Sequence, residues 1–220
     1  MHGSSVEDYL KVILKLSLTH DRVSTTLVSE SQGVSPAAVT KMIRRLKALG
    51  LITYVRKTGI KLSQKGRRIA LEVIRHHRLI ELYLTQALGF SWDKVHEEAE
   101  KLEHVISEDL EERIAEYLGQ PTHDPHGSPI PTREGRMGAY AQDTLTQLQA
   151  GQTAIIRRVS DSDSDRLRYL SDLGFNLHQK VKVLGRDPYG GPLRVKIAGK
   201  ELAIGQELAE TIFVMSEEIV

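Results

Sequence analysis

Apolar residues recur at helical spacing from the start of the chain: Val6, Tyr9, Leu10, Ile13 and Leu14 mark one face of a first helix, entered through Ser4 or Ser5 with Glu7 and Asp8 in its first turn. A short polar helix is predicted around Thr25 to Gln32. Gly33 then makes a turn, Ser35 stands where it can cap a helix, and Pro36 takes a first helical position that tolerates a missing N–H. The helix that follows has Val39, Met42, Leu46 and Leu49 as its expected buried stripe. Ala37, Ala38, Thr40, Lys41, Arg44 and Arg45 fall outside that stripe, and Gly50 ends the helix. Leu51 to Val55, the turn Lys57-Thr58-Gly59 and the alternating Ile60 to Leu62 read as a hairpin.

Ser63 is placed to cap a long helix to about Leu88. Ser91 can cap another that starts near Trp92, and Ser107 restarts a helix that runs to Gly119. Gln120 to about Gly138 holds Pro121, Pro125, Pro129 and Pro131 among several Gly and reads as a linker. Beyond about Leu145 the apolar period becomes two. Ala154 to Val159, Val181 to Leu184, Leu193 to Ile197, Leu202 to Ile204 and Ile212 to Met215 are predicted as five short strands, a spacing that suggests a small barrel. The turn Tyr189-Gly190-Gly191-Pro192 lacks the Lys-Ser/Thr pair or the helix of a phosphate loop, so no nucleotide site is assigned to it.

At 220 residues, with 40% apolar and 27% charged residues, the chain is long enough for two or three small domains with real cores and too apolar for wholesale disorder. Its longest apolar runs fall far short of a membrane span. The lack of Cys removes disulfides, thiol catalysis and thiolate metal sites, and without a signal-type apolar run the expected location is cytoplasmic. The net charge of +1 conceals three blocks. Residues 1–75 hold 14 Lys+Arg against 5 Asp+Glu, residues 76–120 hold 4 against 11, and residues 121–220 hold 12 against 13. A basic first third is the footprint of a surface that meets phosphate; an acidic block either attracts cations or solvates a helix.

Helix, Gly turn, capped basic helix and hairpin is the order of a winged helix-turn-helix, whose second helix enters the major groove. In that arrangement Ser35 and the first backbone N–H groups meet a phosphate, while Ala37 and Ala38 let the backbone approach a thymine methyl. Thr40 shares this face, Lys41 reaches a base edge or phosphate, and Arg44, Arg45, Arg56 and Lys57 hold phosphates. The alternative is a solvated basic helix of some other helical fold. A second group is acidic and bears His. His96, Glu100, Glu103 and His104 share one side of the helix after Ser91, His77 and Glu81 form another i, i+4 pair, and His77 lies on the apolar stripe Val73, Ile80 and Leu84. Such N and O donors between helices suit Mn²⁺, Fe²⁺ or Zn²⁺. Against this stand plain explanations: charge runs as solvated faces, a core His that is merely hydrogen-bonded, and Asp8 as an acid favoured by the helix dipole.

Three stretches carry a family resemblance: Arg75-His76-His77-Arg78-Leu79-Ile80-Glu81, Lys94 through Ser107, and Pro125-His126-Gly127-Ser128-Pro129-Ile130-Pro131. With them the whole chain resembles DtxR/MntR-type metal-dependent transcriptional repressors. Its last part is similar to the FeoA-like barrel of longer members, marked by Leu170-Ser171-Asp172-Leu173-Gly174-Phe175 and Gly190-Gly191-Pro192-Leu193. The resemblance implies a mainly α fold in three parts. These are a winged helix-turn-helix DNA-binding domain (1–72), a helical metal-binding and dimerisation domain with the Pro-rich segment (73–141), and an SH3-like all-β barrel (142–220).

It also implies two metal sites per subunit. Asp8, Glu100, Glu103 and His104 would form the primary site, and His77, Glu81 and His96 the second, with Asp161 or Asp163 completing it. The implied partners are a second copy of the chain and palindromic operator DNA. The chain departs from the compact manganese-sensing branch in carrying Lys11 where that branch has an acid, and from the iron-sensing branch in carrying Glu100 and Asp8 where that branch has Cys and Met. Hard carboxylates lean towards Mn²⁺, with Fe²⁺ the alternative.

Two other functions compete. A hydrolase or di-metal oxidase could use the same carboxylates, but His96-Glu97-Glu98-Ala99-Glu100 lacks the second His of a zinc-protease helix and no pair of Glu-x-x-His motifs is present. A metal-independent winged-helix regulator whose barrel binds a peptide leaves the His/Glu array unexplained.

Overall fold

The apolar face of the first helix, α1 (Ser4–Thr19), is buried as its spacing requires, with Val6, Tyr9, Leu10, Ile13 and Leu14 in the core. These side chains come from a computed structural model, which describes residues 3–55 and 57–216. Gly3, not Ser4 or Ser5, takes the N-cap position, so the helix starts without a side-chain cap. One charged residue joins the apolar face: Lys11 is buried.

Helices α2 (Thr25–Gln32) and α3 (Pro36–Ala48) are joined at Gly33, whose φ of 63° is left-handed and suits a residue without Cβ. Ser35 caps α3 by accepting from the Ala38 N–H at 3.3 Å. Its buried stripe is Val39, Ile43 and Leu46; Met42 packs only partly and Leu49 is exposed. The expected stripe ran on to Leu49 because it assumed a longer helix, whereas α3 stops at Ala48 and Leu49 is its C-cap. Strands β1 (Ile52–Val55) and β2 (Gly59–Leu62) form the predicted antiparallel hairpin, and Val23 pairs with Ile60 beside it.

Helix α4 (Gln64–Leu88) is capped by Ser63, which accepts from the Gly66 N–H. Helix α5 (Val95–Leu102) begins after a turn at 92–94, three residues later than expected, and α6 (Glu108–Tyr117) is capped by Ser107. The chain divides into two compact units. One comprises Met1–His77, Glu100–Arg113 and Ile130–Met137, and the other Arg78–Ala99, Ile114–Pro129 and Gly138–Val220. The first has its core among α1 to α3, the hairpin and the first half of α4.

The second unit is built on a five-stranded antiparallel sheet of order β6-β5-β4-β3-β7: β3 (Thr153–Val159), β4 (Lys180–Arg186), β5 (Leu193–Ile197), β6 (Lys200–Ile204) and β7 (Ile212–Ser216). Alternation buries Val181, Val183, Val195 and Ile197 on one face and exposes Lys182 and Lys196 on the other. Two helices that the alternation does not announce, α7 (Ser164–Asp172) and α8 (Gln206–Ala209), close the core with Leu167, Leu170 and Ala209. The mainly α plus small all-β fold expected from the sequence is thus present. The Pro-rich stretch is not a free tether: Asp124 and residues 126–131 are buried.

Candidate metal centres and nucleic-acid interface

In the first unit, α1 carries Glu7, Asp8 and Lys11 towards residues 100–104. His104 donates from Nδ1 to Glu7 Oε2 at 2.7 Å, and its Nε2 lies 2.8 Å from Asp8 Oδ1 and 3.2 Å from Glu103 Oε1. One ligand atom each from Asp8, Glu103 and His104 lies within 4.8 Å of the others, as a shared cation requires. Burial pushes the Asp8 carboxyl above its ordinary value against the pull of His104 and Lys11. Glu103 is buried too, but the His77 hydrogen bond and charge, with Lys11, outweigh the desolvation and hold it below the usual carboxylate range. His77 Nδ1 donates to Glu103 Oε2 at 2.5 Å, and Lys11 Nζ donates to Glu103 Oε1 at 2.5 Å and to Glu100 Oε1 at 2.7 Å. Behind the cluster, His76 Nδ1 donates to the Glu103 carbonyl at 3.0 Å, and its Nε2 is 2.9 Å from Glu111 Oε2, which fixes the turn that carries Glu103.

The second unit has its own donors. Glu81 Oε1 lies 3.1 Å from His96 Nδ1, and Asp161 joins these two in a group of potential ligands. A further group consists of Glu81, Asp124 and His126, all buried. Asp124 Oδ1 accepts from the N–H groups of His126 and Ser128, both at 2.9 Å, which forms a tight turn. Gly127 completes it at a φ of 86°, where a Cβ would lie 2.0 Å from the Arg157 carbonyl oxygen. His126 Nε2 donates to the Trp92 carbonyl at 2.8 Å, so in the neutral ring Nδ1 keeps its lone pair. That buried Nδ1 has no hydrogen-bond partner among the described residues and sits 3.7 Å from Glu81 Oε2. A buried ring nitrogen left open towards a carboxylate is the arrangement a divalent cation would complete.

Burial pushes Asp124 up to about 6, with the Glu81 charge adding to it. Burial would lower His126, but the hydrogen bond and charge of Glu81 outweigh it and raise the ring to about 9. Arg78 closes the other side, with Nε 3.3 Å from Asp124 Oδ2 and a guanidinium donating to the Pro129 carbonyl and to Tyr140 Oη.

Of the residues singled out in the sequence, Asp8, Glu103 and His104 come together. Glu100 stands beside them on Lys11, and Glu81, His96 and Asp161 assemble in the second unit. His77, expected with Glu81 and His96, hydrogen-bonds Glu103. Asp163 serves as the N-cap of α7, accepting from the N–H groups of Asp165 and Arg166, and joins no group of potential ligands among the described residues. Asp124 and His126 were missed. The stretch Pro125 to Pro131 was noted for resemblance alone, yet an Asp two residues before a His in an Asp-x-His-Gly turn was a legible signal.

On the opposite side of the chemistry, Ser35, Ala37, Ala38, Thr40, Lys41, Arg44 and Arg45 are all exposed along α3, and Lys57 is exposed in the wing. Arg56 lies outside the described residues. The wing adds Tyr54 and Val55, exposed large side chains that the sequence reading passed over.

A winged helix-turn-helix with a basic, capped second helix and a carboxylate–imidazole cluster on its first helix defines a metal-responsive DNA-binding protein. The comparisons with known proteins agree throughout. Residues 1–60 match the family model described as iron dependent repressor, N-terminal DNA binding domain; residues 63–132 match iron dependent repressor, metal binding and dimerisation domain; and residues 144–216 match the FeoA domain.

The iron-dependent repressor IdeR of Mycobacterium tuberculosis is 31% identical over 94% of this chain and 95% of its own length, and the diphtheria toxin repressor of Corynebacterium diphtheriae is 27% identical over the same shares. A solved manganese-dependent transcriptional repressor in complex with manganese is 38% identical, covers 96% of this chain and 100% of its own, and superposes with a TM-score of 0.90. ScaR with bound Cd²⁺ is 32% identical, with 96% and 99% covered and a TM-score of 0.85. The chain belongs to the iron-dependent repressor family of metal-dependent transcriptional repressors. That membership sets aside the enzyme reading. Among the described residues, no helix is long and apolar enough to cross a membrane.

Proposed function

We propose that this chain is a Mn²⁺-activated repressor, with Fe²⁺ the alternative metal, that binds palindromic operator DNA as a homodimer in the cytoplasm and controls genes of metal homeostasis. The observation that carries it is the convergence of Asp8, from the first helix of the DNA-binding part, with Glu103 and His104. A cation held there ties α1, and through its core the recognition helix α3, to the segment after α5. Carboxylate oxygens dominate the donor set, which suits Mn²⁺ better than soft metals.

Two sites per subunit follow from the two groups. Asp8, Glu100, Glu103 and His104 are assigned to one, and Glu81, Asp124 and His126, with His96 and Asp161 at hand, to the other. We assign DNA binding to 1–72, metal binding and dimerisation to 73–141, and the accessory barrel to 142–220. Exposed apolar Val105 and Leu110 support a dimer contact in the middle part. Binding to an operator duplex with Mn²⁺ and with chelator tests the proposal.

A further inference from the structure

Lys11 is the feature of the first cluster that a metal site does not call for. A Lys is among the residues least often buried unless paired, and here it lies on the core face of α1 with its ammonium shared by Glu100 and Glu103. The geometry sets up a competition for one atom. Glu103 Oε2 is taken by His77, so the oxygen turned towards His104 and Asp8 is Oε1, and Lys11 already holds it at 2.5 Å. Charge arithmetic points the same way. Asp8, Glu100 and Glu103 carry three negative charges when ionised, and one divalent ion plus the ammonium balances them.

We infer that Lys11 is a tethered cation that takes the place of a second metal ion in this cluster, limits it to one divalent ion, and lowers its affinity for that ion. The inference rests on the assignment of Asp8, Glu103 and His104 as metal ligands. In the metal-free protein the ammonium keeps Glu100 and Glu103 together against their mutual repulsion, and an incoming ion must share or take Oε1 from it. Lys11 therefore sets how much free metal is needed before α1 is engaged by the ion.

Calorimetry and electron paramagnetic resonance of Mn²⁺ on the full-length protein test this. Lys11→Met removes the charge and keeps the length of the stem, and should bind Mn²⁺ at this cluster at least about tenfold more tightly. Lys11→Glu turns the resident cation into a ligand. It should take one more Mn²⁺ per subunit than the unaltered chain and show the spectrum of two exchange-coupled Mn²⁺ ions, a readout that a purely structural Lys11 would not move. Should Lys11→Met fail to fold by circular dichroism, Lys11→Gln supplies the affinity comparison.

Folded variants with unchanged affinity and unchanged stoichiometry overturn the inference while leaving the metal site standing. If His104→Ala has no effect on Mn²⁺ binding, both the inference and the site assignment fall.

Discussion

His104 is held by Glu7: its Nδ1 donates to Glu7 Oε2 over 2.7 Å, which turns Nε2 towards Asp8 and Glu103. A carboxylate behind an imidazole fixes the tautomer and the ring plane of a metal-ligating His, and losing such a partner costs roughly 10–100-fold in metal affinity. Glu7→Ala should accordingly weaken Mn²⁺ binding at this cluster by about that factor without removing any ligand. Calorimetry on the variant checks it; unaltered affinity would mean that the ring is held by other contacts.

The DNA-facing surface yields a separate expectation. Lys41 and Arg45 are exposed on α3 beside the capped N-terminus that meets phosphate, and neither belongs to the buried stripe. Replacing either by Ala should weaken operator binding and reduce the salt dependence, each lost phosphate contact lowering the slope of log K against log salt by about 0.9. Mn²⁺ affinity should stay as it was. Fluorescence anisotropy across a salt series reads both quantities, and an unaltered slope in both variants would move the phosphate contacts elsewhere.

Much of the fold was legible because it rests on local pattern. The core face of α1, the Gly33 turn, the Ser35 and Ser107 caps and the alternating strands follow from periodicity and capping chemistry within a few residues. The end of the α3 stripe was not, since Leu49 satisfies the spacing but falls past the last helical turn. What the sequence concealed depends on partners far along the chain. Lys11 reads as a solvent-facing charge until Glu100 and Glu103, some ninety residues on, are brought to it. Asp124 and His126 sat in a stretch whose four Pro suggested a tether, but the Asp124 turn and the close approach of Gly127 to Arg157 pack it against β3. Asp163 looked like a spare ligand because helix α7, which it caps, has too few apolar residues to announce itself.

The second group predicts a pH dependence. The His126 ring stands at about 9 in the metal-free protein, above its ordinary 6.5, while Asp124 at about 6 is already ionised at neutral pH. The raised ring stabilises the metal-free fold fully below about 6.5, and that contribution is lost as pH rises through 9. Metal ligation by Nδ1 needs the neutral ring, so binding at pH 7.5 should release about one proton from His126, and affinity should rise about tenfold per pH unit until it levels off near 9. Calorimetry of the His104→Ala variant in buffers of different ionisation enthalpy isolates this group. No proton release at pH 7.5 would contradict the assignment of His126 as a ligand.

The central claim is that an ion at Asp8, Glu103 and His104 controls DNA binding by α3, and the most direct measurement is equilibrium binding of the full-length protein to an operator duplex with Mn²⁺ and with chelator. Binding should be at least about tenfold tighter with Mn²⁺, which corresponds to about 1.4 kcal/mol of coupling. Glu103→Gln and His104→Ala, folded and dimeric, should lose that difference and remain at the chelator level. Equal affinity of the unaltered protein with Mn²⁺ and with chelator, or full Mn²⁺ activation in both variants, would contradict the account.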